Sequence, residues 1–158
     1  MNPRVFREYD IRGVADQDFP DPFVAELADA IAEHLREAGA RHLTLGRDCR
    51  LSSPRIHAVM KARLVNAGLA VSDLGVLHTP GMYFSVFHYK ADGGVMITAS
   101  HNPEQDNGFK IMRGPSTIFG AEIQVLRERI ERHQAGARPK TVPRGTAAEV
   151  DVLTPYIA

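Results

Sequence analysis

An apolar run, Gly94-Val95-Met96-Ile97-Thr98-Ala99, stops abruptly at Ser100-His101-Asn102-Pro103. A serine hydroxyl and an imidazole therefore arrive together at the end of what reads as a strand, where open α/β folds keep their chemistry. A serine can carry a covalent acyl or phosphoryl group, and a histidine, which titrates near neutral pH, suits proton transfer. Taken alone, Ser-His-Asn-Pro is also an ordinary turn, with Ser100 and His101 as plain loop residues. A hydrolase nucleophile usually sits in G-x-S-x-G, which is absent here, and adjacent residues seldom form a nucleophile–base pair. A little further on, Asn107-Gly108-Phe109-Lys110 pairs a turn signal with a cation on a returning strand. Lys110 reads either as a solvated edge lysine that discourages strand pairing or as a cation facing a transferring phosphoryl group.

Two other segments hold hydrogen-bond donor side chains. Phe6-Arg7-Glu8-Tyr9-Asp10-Ile11-Arg12-Gly13 holds Tyr9 and Arg12, and Gly46-Arg47-Asp48-Cys49-Arg50 holds Arg47. A guanidinium offers a fork of donors that matches phosphate, and a phenol offers one more. Without further context, Tyr9 and Arg12 are surface residues of an ill-defined extended or hairpin segment. Asp48 and Arg50 are suited to pair and hold their loop, and nothing marks Cys49 as reactive.

The elements that must position these residues follow from periodicity. Val24, Leu27, Ala28, Ile31 and Leu35 share one helix face, opened by Asp21 as a cap with Pro22 in the first turn and closed by Gly39. His42 to Leu45 is a short strand ending in Gly46-Arg47-Asp48. A second helix runs from Ser53-Pro54 to Gly68, with Ile56, Val59, Met60 and Leu64 as its stripe. Leu69 to Leu74 is a second strand, and Thr79-Pro80 opens a third helix, with Thr79 read as its N-cap. Gly94 to Ala99 is the third strand, Phe109 to Met112 the fourth, and Ala121 to His133 the last helix. Strands alternating with helices imply parallel right-handed crossovers. The link between the third and fourth strands is too short for one, so the fourth strand is expected antiparallel, at a sheet edge. The fold class is α/β, a mixed four-stranded sheet between α-helices.

The chain's 158 residues, 44% of them apolar, suit one buried core. Lys plus Arg equals Asp plus Glu at 19 each, so the net charge is zero and broad electrostatic capture of nucleic acid or of a membrane surface is not expected. A single cysteine fits a reduced, cytoplasmic setting, and the opening residues lack the apolar core of a signal peptide. Residues 1–135 read as one domain. From 136 to 158, Gly136, Pro139, Pro143 and Gly145 mark a linker, and the apolar turn from Val152 reads as the start of a missing second domain.

T-A-S-H-N-P at Thr98–Pro103, N-G-x-K at Asn107–Lys110, F-R-x-Y-D-I-R-G at Phe6–Gly13 and G-x-D-x-R at Gly46–Arg50 together resemble the α-D-phosphohexomutases, the phosphomannomutase/phosphoglucomutase family. The resemblance runs from Phe6 to the last helix. It implies a sheet of order 2-1-3-4, which would put the loops at Arg47 and Ser100 in one crevice at a switch point. It further implies that Ser100 is a phosphoserine exchanging its phosphoryl group between the 1- and 6-positions of a hexose phosphate through a bisphosphate intermediate. Lys110 and His101 would share the catalytic site, and Tyr9, Arg12 and Arg47 would contact substrate. Family members hold Mg²⁺ between that phosphoserine and an aspartate loop, D-G-D-x-D-R, of a second domain. No such loop occurs here, so the metal would touch this chain only through the phosphate on Ser100. The resemblance thus makes the hexose phosphate and the remaining domains of a parent enzyme the partners, and makes this fragment inactive alone. The alternative is a stand-alone phosphosugar-binding or phosphate-binding module without turnover.

Overall fold

The computed structural model describes all 158 residues as a sheet sandwiched between unequal helical layers. In chain order the elements are β1 (Ile11–Val14), α1 (Ala15–Asp18), α2 (Asp21–Glu37), β2 (His42–Arg47), α3 (Ser53–Asn66), β3 (Ala70–Val76) and α4 (Thr79–His88). There follow β4 (Gly93–Ile97), β5 (Asp106–Arg113), β6 (Ser116–Thr117), α5 (Ala121–Gln134), β7 (Ala147–Glu149) and α6 (Leu153–Ile157). No helix is long and apolar enough to cross a membrane.

The four strands expected from the sequence are β2, β3, β4 and β5, and they lie in the order β3-β2-β4-β5, with β5 antiparallel to β4. The sheet extends beyond them on both sides, giving β1-β5-β4-β2-β3-β7, with β6 hairpinned onto β5. The strand bearing Lys110 is therefore not an edge strand, which corrects the expectation. The opening segment folds back through a Phe6–Ile11 bridge and pairs antiparallel with β5, Ile11 opposite Phe109. Burying the apolar Ile11 and Phe109 side by side in the core favours this pairing over a free edge. At the other edge the linker doubles back, so that β7 pairs in parallel with β3. Tyr156 of α6 packs edge-on against His78 and Phe84, and the Tyr89 hydroxyl donates to the Asp151 carbonyl at 2.9 Å.

Side-chain alternation divides the core. Leu43, Leu45, Val95, Ile97, Phe109 and Ile111 face α2, α3 and α5 in one large apolar cluster. Met96 and Met112 face the other way, toward α4, in a smaller cluster with Leu77, Met82 and Val86. Lys110 lies between Phe109 and Ile111 and is paired across the sheet with Met96, which places it on the thinly covered α4 face. Two caps differ from expectation. Asp21 is already helical, with Pro20 in the cap position and no side-chain cap bond. At α4 the cap is His78, whose Nδ1 accepts from the Gly81 N–H at 3.0 Å, leaving Thr79 as the first helical residue. An imidazole nitrogen can accept the orphan amide of a first turn as a hydroxyl would.

A buried polar cluster ties α3 to β3. His57 Nε2 lies 2.9 Å from Asp73 Oδ1, Lys61 Nζ donates to Asp73 Oδ2 at 2.8 Å, and the Gly75 N–H donates to Oδ1 at 3.1 Å. Burial pushes the His57 pKa below its ordinary value, against the upward pull of the Asp73 carboxylate. Burial also acts upward on Asp73, but the bonds from Lys61 and Gly75 and the charges of His57 and Lys61 together hold it below the usual carboxylate range. Because folded His57 resists protonation, the unfolded chain binds the extra proton as pH falls below about 6.5, and stability is lost from there down to the folded pKa. Urea midpoints measured across that window should fall with pH. The part of the slope due to this site should vanish in His57→Gln, which cannot titrate. An unchanged slope in the variant would place the effect elsewhere.

Candidate functional site

β4 is buried along its whole length and ends at Ile97, so the chain must turn as it leaves the core. The Thr98 N–H donates to the Gly108 carbonyl at 2.9 Å, and Thr98 Oγ1 accepts from the Ser100 N–H at 2.9 Å. Ser100 takes φ +56°, the left-handed region that costs a residue with a Cβ about 1 kcal/mol or more. Such conformations persist only where surrounding bonds over-determine them. The result is an exposed serine at the carboxyl end of the sheet. Its Oγ is 3.4 Å from His101 Nδ1, too long for a firm nucleophile–base bond.

Arg12 reaches this loop from β1. Its Nη1 donates to Asn102 Oδ1 at 2.7 Å and its Nη2 to Asp10 Oδ2 at 2.6 Å. Lys110 Nζ lies 3.6 Å from that same Asp10 oxygen. One carboxylate thus locates two cations, and Asn102 links the pair to the serine loop. The side-chain amide of Asn102 also donates to Asp106 Oδ2 at 2.9 Å. Gly108 permits the close approach of β1, because a Cβ there would meet the Ile11 carbonyl oxygen at 2.3 Å.

Ser100 and His101 border an open groove of about 1330 Å³ at the carboxyl ends of the parallel strands. The loop Asp48 to Ser52 and the turn His78 to Pro80 form its other walls, with Leu51 almost wholly exposed on the rim. Asp48 shares this crevice, as expected for its loop, but Arg47 does not. Alternation along β2 sends Arg47 to the α3 side, where it lines a separate pocket of about 350 Å³ with His57, Lys61 and Asp73. Tyr9 projects from the bend before β1 and is 72% exposed, outside the groove lining. Of the residues singled out from the sequence, Ser100 and His101 border the groove, whereas Arg12 and Lys110 meet at Asp10 outside its lining. Sequence reasoning missed Asp10 and Asn102 as connectors, although both stand inside the motifs, because a carboxylate or amide between two functional residues carries no periodic signal.

No group of three His, Cys, Asp or Glu side chains is gathered to hold a metal ion. The side chains of this chain therefore do not by themselves fit a Mg²⁺ site.

The chain is thus an α/β/α sandwich that lifts a strained serine to the carboxyl edge of its sheet, on a loop tied through Asn102 to Arg12, which shares the Asp10 carboxylate with Lys110. The family model for the phosphoglucomutase/phosphomannomutase α/β/α domain I matches residues 3–136, and the chain belongs to that family. It is 36% identical to a phosphoglucomutase of Neisseria meningitidis, over 97% of this chain and 33% of that protein. It is 42% identical to a phosphoglucosamine mutase of Symbiobacterium thermophilum, over 94% of this chain and 33% of that protein. A crystal structure of a phosphoglucomutase/phosphomannomutase family protein from Burkholderia thailandensis superposes with a TM-score of 0.89 at 28% identity, covering 99% of this chain and 35% of the other. The chain thus spans about a third of the length of these relatives, with the fold and matched region of their first domain.

Proposed function

We propose that this domain supplies the phosphoryl-carrying serine of a phosphohexomutase whose remaining domains complete the site. The carrying observation is the placement of Ser100, exposed at a strand end in a backbone conformation held by its neighbours, on a loop that Arg12 grips at Asn102 while sharing Asp10 with Lys110. In the first half-reaction a hydroxyl oxygen of a hexose phosphate attacks phosphorus of the Ser100 phosphate. The new O–P bond forms, the Oγ–P bond breaks, the hydroxyl proton leaves to a base, and the departing Oγ takes up a proton to become the free serine. The resulting bisphosphate reorients and returns its other phosphoryl group to Oγ by the same exchange, so no phosphate is consumed. Little covalent chemistry is asked of the protein beyond alignment and charge compensation. Arg12 and Lys110 suit that compensation, because only one carboxylate stands between their two positive charges. Any Mg²⁺ would be shared between the Ser100 phosphate and residues beyond this chain, so the domain alone would be inactive. One exposed free thiol, Cys49, accords with a reducing, cytoplasmic setting.

The test is chemical. The full-length protein is incubated with a hexose 1,6-bisphosphate and digested, and its phosphopeptides are mapped. The phosphate should sit on Ser100 and be discharged by adding hexose monophosphate. A phosphate found elsewhere, or none under turnover, would overturn the reading.

A further inference from the structure

We infer that Arg50 is a positioning residue for phosphoryl transfer, which fixes the serine loop without touching substrate; the inference rests on the reading above that Ser100 carries the phosphoryl group. The guanidinium of Arg50 stands between two walls of the groove, with its side chain only 12% exposed. Its Nη1 donates to the carbonyl oxygens of Pro103 at 2.5 Å and Asp106 at 3.1 Å. Its Nη2 donates to the carbonyl oxygens of Ser100 at 3.1 Å and Asn102 at 2.7 Å. Its Nε donates to Asp48 Oδ2 at 3.1 Å. A guanidinium has five N–H donors, and these bonds engage all of them.

That count decides between two roles. An arginine beside a phosphoryl site is normally read as a phosphate ligand, but Arg50 has no donor left to offer. Its charge is spent on the loop itself, on four carbonyl oxygens between residues 100 and 106. Gathering those oxygens around one planar cation fixes the peptide planes of the turn and helps hold Ser100 at its positive φ. The grip is itself anchored. Asp48 Oδ1 accepts from the Arg50 N–H at 3.1 Å and from Ser53 Oγ at 2.5 Å, and Ser53 Oγ accepts from Asn107 Nδ2 at 3.0 Å. The network therefore closes from the β2–α3 loop onto β5, the strand that carries Lys110. Lysine cannot replace Arg50, because an ammonium is a point donor without the fork.

The consequence is kinetic. A serine displaced by a fraction of an ångström loses alignment with the incoming hydroxyl, while sugar contacts made elsewhere are untouched. The experiment uses the full-length protein with Arg50→Lys, normalised to the folded fraction. We expect kcat to fall about 100-fold with KM little changed. A wild-type kcat in folded Arg50→Lys would overturn the inference and leave Arg50 a plain structural anchor. So would a rise in KM with kcat unchanged, which would make it a substrate contact. If Arg50→Lys does not fold, Asp48→Asn decides. It keeps the side-chain shape but weakens the anchor, so a lowered kcat at constant KM supports the inference and an unchanged kcat overturns it. Ser100→Ala run in parallel separates the two levels, because turnover surviving in that variant removes the phosphoserine reading itself, whatever Arg50 does.

Discussion

Ser100→Ala in the full-length protein is expected to fold as well as the wild type and to lose essentially all turnover. The serine is exposed and its side chain fills no core space, so truncation leaves no cavity. Its hydroxyl makes only the long contact to His101. Alanine and serine also suffer the same penalty at φ +56°, so the exchange is neutral for the backbone. Glycine sharpens the comparison. Ser100→Gly relieves the left-handed strain and should be at least as stable as the alanine variant, by up to about 1 kcal/mol, yet equally inactive. Stability and activity would then move independently at one position. Denaturant unfolding and a coupled mutase assay check both. Turnover within tenfold of wild type in either variant would remove Ser100 from the reaction.

The second large effect concerns Arg12 and Lys110, which the sequence alone would treat as equally dispensable for folding. The structure separates them. Arg12 is 11% exposed at its side chain and engages both Asp10 and Asn102, so Arg12→Ala strands a largely buried carboxylate and should cost about 2 kcal/mol. Lys110 is 24% exposed and lies 3.6 Å from Asp10, and its loss should cost no more than about 1 kcal/mol. Function should invert that ranking in character. Lys110→Ala should lower kcat by about 100-fold, because its charge matters most while the phosphoryl group is in transit. Arg12→Ala should lower kcat and raise KM together, since a cation tethered to the serine loop also holds bound phosphate. Unfolding curves and steady-state kinetics on both variants decide the matter. Strong destabilisation with unchanged turnover per folded molecule would make both residues structural.

Much of this was legible in the chain. Alternating strand and helix patterns and the short link after Ala99 were enough for four mixed strands and an antiparallel β5, because apolar periodicity and loop length act locally, whereas the order β3-β2-β4-β5 came from the family resemblance. Motif likeness singled out Ser100, His101, Arg12 and Lys110, of which the first two border the groove and the last two share Asp10. What stayed hidden depends on contacts between distant segments. β1 claims the free side of β5 only because Ile11 and Phe109 can be buried together, which moves Lys110 from an expected edge to the sheet interior. β7 returns to β3 from a stretch whose composition reads as linker. Arg47 and Arg50 stand in the same short motif, yet strand alternation turns one toward α3 while the loop turns the other onto the serine backbone. Residue type and spacing determined which groups this domain presents. The direction each one faces, and whether its donors are free or already taken, was decided only when β1, the β2–α3 loop and the serine turn closed on one another, since hydrogen bonds to distant carbonyls leave no trace in local sequence.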